Sequence, residues 1–198
     1  MQAHPTAMFP IIVVGPFTKW EIDFTTCHPA SARGHRYIIV AVDYFTKWVE
    51  AMPTFNNDGE TTTLFIFNQI VARFDIPKDI VTDHGSHFQK KMMIDLTSNL
   101  GLRQEHSSPY YPQENGQVED VNKSLKTILQ RMINSARSNW HLMLYSTLWA
   151  YRMSVKTATN FSPFQLVYRL EEVLPIECHI PSLKLAVQLL PDTSPLEE

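Results

Sequence analysis

The order of hydrophobic patterns constrains this chain more than any single residue does: three β-rich runs come first, and only then do helical and strand patterns alternate. KWEIDFTTC (19 to 27) alternates in the manner of a strand, and RYIIVAVDYFTKWVEAMP (36 to 53) holds two more β-rich runs, the first nearly continuous in apolar residues. DGETTTLFIFNQIVARF (58 to 74) then places Leu64, Phe67, Ile70 or Val71, and Phe74 at helical spacing. Pro77 ends that helix, and Ile80 and Val81 begin a short buried strand. FQKKMMIDLTSNLG reads as a helix stopped by Gly101, and LRQEHSS as a fifth strand. Val118, Val121, Leu125, Ile128 and Met132 share one face of a long helix, and WHLMLYSTLWAYRMSVK (140 to 156) forms another. Strands in succession followed by alternation predict an α/β domain with a mixed sheet.

The length of 198 residues, 44% of them hydrophobic, suits one substantial core. The expected division is a lead-in over 1–17, the core over 18–169 and an acidic, proline-containing arm over 170–198. No run of eighteen apolar residues exists, and the start lacks a basic segment before an apolar stretch broken by Pro10 and Pro16. The expectation is a soluble, unsecreted chain with no membrane partner. Cys27 and Cys178 stand far apart, which predicts reduced, buried thiols instead of a disulfide framework. The net charge of −3 argues against a nucleic-acid partner until its distribution is considered. Residues 84 to 156 carry nine Lys and Arg against five Asp and Glu, hence +4, whereas 170 to 198 carry one Lys against six acids, hence −5.

Three carboxylates fall where a sheet would expose them. Asp23 lies within the first strand, Asp83 closes the fourth before the small-residue loop HGSHF, and Glu119 comes early in the long helix. Convergent carboxylates suit hard divalent ions, and a pair of such ions suits phosphoryl transfer. Asn115 is a candidate N-cap, while Pro109, Pro112 and Gly116 shape the approach, so Glu119 sits on the rigid side of a loop-to-helix junction. Lys123 and Lys126 follow on the same helical face with Asn122 beside them, a set able to hold phosphates.

The segments WEIDF, YIIVAVDYFTKWVEAMP, DIVTDHGSHF, SSPYYPQENGQVEDVNKSLK, LWAYRMSVKTATNFSPFQLVY and LPIE follow one another as in integrase catalytic cores of Ty3/gypsy-type LTR retrotransposons, relatives of retroviral integrases. The 35 residues between Asp83 and Glu119 match the D,D(35)E spacing of that superfamily. This resemblance implies a ribonuclease H-like fold, a five-stranded mixed sheet flanked by helices. It implies polynucleotidyl transfer, with water attacking in 3′-end processing and a 3′-hydroxyl attacking target DNA in strand transfer. On it, Asp23, Asp83 and Glu119 are the catalytic residues and the ligands of Mg²⁺ or Mn²⁺, two ions being expected with DNA bound. The implied partners are element ends, target DNA and further copies of the chain, as a dimer or higher assembly, and the implied location of a working complex is the nucleus.

Around that constellation, Tyr110 and Tyr111 stand open between base contact and loop structure, and Gln117 between DNA contact and loop support. Trp20, Trp48, Trp140 and Trp149 read as core. His84 and His87 form an HxxH without a third soft ligand nearby, which makes zinc the weaker reading. Several positions depart from the family's habit: His84 in the loop after Asp83, Thr26 and Cys27 in place of Gly-Pro, and Asn160 and Arg169 where glycine is common. Asn is the easier replacement if the backbone there needs positive φ. The family's zinc-binding N-terminal domain and DNA- or chromatin-binding C-terminal domain are absent from this sequence, so the expectation is a core from a polyprotein or a fragmentary or decayed element copy. Two rival readings stand beside the integrase: a non-catalytic binding remnant and a ribonuclease H-type hydrolase.

Overall fold

The computed structural model describes residues 15–83, 85, 88, 91–106, 116–133 and 138–170. Five strands, β1 (Lys19–Thr26), β2 (Tyr37–Asp43), β3 (Val49–Thr54), β4 (Asp79–Thr82) and β5 (Arg103–His106), form one sheet in the order β3-β2-β1-β4-β5. β1 runs antiparallel to β2 and parallel to β4, β2 and β3 are antiparallel, and β4 and β5 are parallel. The expected mixed sheet is therefore present.

The apolar continuity of β2 has a direct cause, since the strand is buried on both faces. Ile38, Val40 and Val42 pack with Val118, Val121, Leu125 and Leu129 of α4 (Gly116–Met132), and with Leu144 and Leu148 of α5 (Trp140–Met153). Ile39 and Ala41 turn the other way, toward Phe65, Ile66 and Ile70. β1 divides similarly: Trp20 and Ile22 join this second core, which by the period of two leaves Glu21 and Asp23 on the α4 side.

The crossover from β3 to β4 is one helical run made of α1 (Gly59–Phe65), a π-helical segment (Ile66–Val71) and α2 (Ala72–Phe74). Asp58 caps it by accepting from the Thr61 amide at 2.9 Å. Its buried face is the expected one at Ile70, with Val71 and Phe74 packed against the core, but not at Leu64 and Phe67. Phe65, Ile66 and Ile70 face the sheet, while Leu64 and Phe67 are half exposed. Apolar residues occupy nearly every direction around this helix, so periodicity alone could not select a face, and the wider π turn shifts the register again.

α3 (Lys91–Leu100) ends at Gly101, whose φ of 67° is the left-handed stop expected of glycine. In α4 the fourth core position is Leu129; Met132, expected on that face, lies in the exposed last turn. Trp20, Trp48 and Trp140 are buried as expected, whereas Trp149 sits on the outer side of α5. α6 (Pro163–Tyr168) opens with a capping box between Ser162 and Gln165. Cys27 is free and half-buried; Cys178, the acidic arm, His84 and His87 lie outside the described residues. Among the described residues, no helix is long and apolar enough to cross a membrane.

Candidate active site

The sheet register brings two of the three carboxylates together. Ile22 pairs with Thr82 in the parallel β1–β4 ladder, and the next residue of each strand is Asp23 and Asp83. α4 lies over β1 and β2 and carries Glu119 in its first turn. Asp23 feels the charges of both Asp83 and Glu119, so all three form one electrostatic group.

Asp23 is held at both oxygens. Its Oδ1 accepts from the Phe24 amide at 2.7 Å, and its Oδ2 accepts from Asn122 Nδ2 at 3.0 Å. Asp83 Oδ1 accepts from the Gly85 amide at 2.8 Å, so the loop after β4 turns back on the side chain that precedes it. Burial pushes the Asp23 carboxyl up to about 6, the Phe24 amide opposes the rise, and the negative charges of Asp83 and Glu119 add to it.

The donor set fits a hard divalent ion in kind and in charge. It offers carboxylate oxygens, and the like charge of Asp83 and Glu119 beside Asp23 is the interaction that a cation between the groups would reverse. The fit does not extend to closed ligand geometry: among the described residues, no three His, Cys, Asp or Glu side chains are gathered closely enough to hold an ion.

The expected DNA contacts separate on inspection. Lys123 is exposed and pairs with Asp120 at 3.5 Å, and Lys126 is exposed two turns beyond Glu119. Asn122, grouped with them in sequence, is instead turned inward and buried against Asp23. One residue in three around a helix points inward, and here the inward direction leads to the carboxylate. Tyr110 and Tyr111 lie outside the described residues, as does the side chain of Gln117.

A residue that sequence reasoning passed over is Glu21. It is 2% exposed, two residues before Asp23 and on the same face of β1. Among the described residues, neither carboxylate oxygen makes a hydrogen bond of good geometry, although the Val118 amide and the Tyr44 hydroxyl lie near enough to temper its charge. Burial pushes it up to about 8, with smaller contributions from Asp23 and Glu119. The alternation of β1 was the available signal, because any residue sharing a face with Asp23 also faces α4.

Residues 14–112 match the integrase core domain family, a span of half the chain that contains Asp23 and Asp83 and stops short of Glu119. The chain is 32% identical over 154 residues to the Pol polyprotein of radiation murine leukemia virus (strain Kaplan), covering 77% of this chain and 26% of that protein. It is equally similar to the Gag-Pol polyprotein of baboon endogenous virus (strain M7), covering 77% and 9%. The chain thus spans about a quarter or less of the length of these curated relatives. Among solved structures, a simian T-cell lymphotropic virus intasome in complex with the PP2A regulatory subunit B56 gamma superposes with a TM-score of 0.67 at 21% identity, over 87% of this chain and 63% of that one. The HTLV-2 integrase catalytic core domain in complex with magnesium, in a trimeric form, gives a TM-score of 0.63 at 18% identity, over 77% and 97%. Both share the fold, a five-stranded mixed sheet with flanking helices of the ribonuclease H-like type. With half its length matched by the family and its order of strands and helices matched by solved cores, the chain belongs to the integrase core domain family, within the retroviral integrase superfamily.

Proposed function

We propose that this chain is the catalytic core of a Ty3/gypsy-type retrotransposon integrase, transferring polynucleotide ends in two steps: water attacks during 3′-end processing, and the freed 3′-hydroxyl attacks target DNA during strand transfer. The observation that carries the reading is the parallel register of Ile22 with Thr82, which sets Asp23 and Asp83 side by side, with α4 and its first-turn Glu119 lying over β1. Asp23, Asp83 and Glu119 would hold Mg²⁺ or Mn²⁺, two ions with DNA bound. Such ions supply Lewis-acid activation of the attacking oxygen and charge neutralisation at the phosphate.

The chain's own residues prepare that site. The Phe24 amide and Asn122 fix the two oxygens of Asp23, and the Gly85 amide orients Asp83, so two of the carboxylates have a defined direction before any ligand arrives. Lys123 and Lys126 stand one and two turns beyond Glu119, where phosphates would approach. The expected partners are element ends, target DNA and further copies of the chain, in keeping with the intasome and trimeric core among its structural neighbours. The working location is the nucleus.

The test is Mn²⁺-dependent cleavage and joining of a pre-branched DNA by the folded chain and by its Glu119→Gln variant. Activity in the parent that disappears in the variant is the expected result. A second reading, a non-catalytic nucleic-acid- or protein-binding remnant, draws on the carboxylates not being gathered into ligand geometry. Folded protein that is inert in both forms would establish it in place of the enzyme.

A further inference from the structure

Beyond Glu119 the exposed arc of α4 continues through Lys123 to Asp120 and Ser124, and these last two line a cavity of about 380 Å³. Its other polar walls come from Lys47 in the β2–β3 turn and from Tyr151, Lys156 and Thr157 at the end of α5. Asp120, Ser124 and Val121, which line the cavity, lie about 100°, 140° and 200° around α4 from Glu119, so the cavity opens on a different arc of the helix from that carboxylate.

Both lysines are placed with care. Lys156 Nζ donates to Ser154 Oγ at 2.6 Å and lies 3.4 Å from the centre of the Tyr151 ring. Its backbone is fixed by the Phe161 carbonyl at 3.0 Å and by the Asn160 amide at 2.8 Å. Burial, with no charge partner to offset it among the described residues, pulls its ammonium down to about 8. Lys47 holds a left-handed backbone with φ of 61°, a conformation in which Gly or Asn costs less, and its Nζ donates to the Tyr44 carbonyl at 2.7 Å. Burial lowers its ammonium too, against the opposing pull of Asp43 and Glu21. Two partly desolvated cations facing one cavity, with the Ser124 and Thr157 hydroxyls beside them, favour a compact anion with several acceptor oxygens. Asp120 is the acid on this wall, and Lys123 offsets it from the other side.

We propose that the cavity walled by Lys47, Ser124, Lys156 and Thr157 is a phosphate-receiving site for the DNA backbone, on the side of α4 away from Glu119. The inference rests on the reading of this chain as DNA-acting. A helix is about 10 Å across, and one strand of duplex carries a phosphate about every 3.4 Å of axis. A strand crossing α4 from the Glu119 side would therefore bring its phosphates past Lys123, which pairs with Asp120 at the cavity's edge, and on to Lys47 and Lys156.

The test uses the full chain labelled at lysine Cε, with signals assigned through Lys47→Gln and Lys156→Gln, titrated separately with a short duplex and with inorganic phosphate. The expected result is a saturable shift of both lysine signals with duplex and a titration of Lys156 that rises by about one pH unit or more in the complex. Lys156→Gln should also lower the slope of log affinity against log salt by about 1, with Lys156→Arg restoring it and Asp120→Asn tightening binding. A duplex that moves Lys123 and Lys126 but leaves Lys47 and Lys156 unmoved overturns the proposal. So does a response to inorganic phosphate alone, which would make this a site for free phosphate, or a loss that Arg does not restore, which would mark a folding effect. Strand joining by parent and Glu119→Gln chains is scored in parallel: absent joining with responsive lysines removes the enzyme and leaves the phosphate site standing.

Discussion

Asn122 donates its side-chain amide to Asp23 at 3.0 Å, joining the long helix to the first strand across 99 positions of sequence. The bond fixes Oδ2 of the most buried of the three carboxylates, while the Phe24 amide fixes Oδ1. On the proposed reaction, Asn122 would act as a positioning residue for Asp23. Asn122→Ala should leave the fold intact and lower joining of branched DNA by about 10- to 100-fold, the usual cost of losing a group that orients a metal ligand. The discriminating readout is the Mn²⁺ concentration for half-maximal rate: it should rise in the variant, whereas a purely structural defect would lower the rate at every concentration alike.

Glu21 makes a prediction of opposite sign, about stability. Its folded-state carboxyl is raised to about 8 from an ordinary 4.5, so the folded protein holds a proton that the unfolded chain releases. The associated stability is fully present below about pH 4.5 and is lost as pH rises through about 8. Glu21→Gln removes that dependence. Urea unfolding should show the variant more stable than the parent by roughly 2–4 kcal/mol at pH 8 and above, with the difference shrinking steadily toward pH 4.5. A difference that stays constant across that range would contradict the assignment.

Glu50 ties three elements together. It pairs with Arg152 at 2.9 Å and Arg73 at 2.7 Å, and accepts from Trp48 Nε1 at 2.8 Å. Arg152 also donates to the Val49 carbonyl at 2.7 and 3.0 Å and stacks over Trp48. Glu50→Gln leaves a buried guanidinium without its charge partner, which should cost about 3 kcal/mol in urea unfolding. Adding Arg152→Met should recover part of that loss, because an apolar side chain of similar length no longer needs the carboxylate. Equal or greater destabilisation in the double variant would show that the bonds to Val49, not the ion pair, dominate.

These networks mark where sequence stopped being informative. The sheet was legible because β2 is apolar on both faces and β1 alternates, patterns that backbone geometry imposes on the side chains. Asp23 was legible as an acid within the first strand and Asp83 as one at the end of the fourth, and the register of Ile22 with Thr82 makes them neighbours. The buried face of the first half of the β3–β4 crossover was not legible, since Leu64, Phe65, Ile66 and Phe67 are consecutive and only packing against the sheet chooses among them. Leu129 and Met132 differ by less than a turn, and both satisfy a helical template from Leu125. The inward turn of Asn122 depends on where α4 lies over β1, a tertiary fact that one helix's periodicity does not contain.

The last prediction returns to two positions where glycine was the family's habit. Asn160 has φ of 57° and Arg169 of 56°, so the left-handed conformation is kept although the residue that makes it inexpensive is gone. Asn tolerates this region because its short polar side chain bonds locally, whereas Arg at the end of α6 has no such compensation, even as its amide bonds the Gln165 carbonyl at 2.8 Å. Arg169→Gly should therefore stabilise the protein by up to about 1 kcal/mol, less the entropy that glycine adds to the unfolded chain, and Asn160→Gly should be close to neutral. Paired thermal and urea unfolding of the two variants checks the contrast. Equal effects at both positions would mean that side-chain identity, and not backbone conformation, decides how each turn is held.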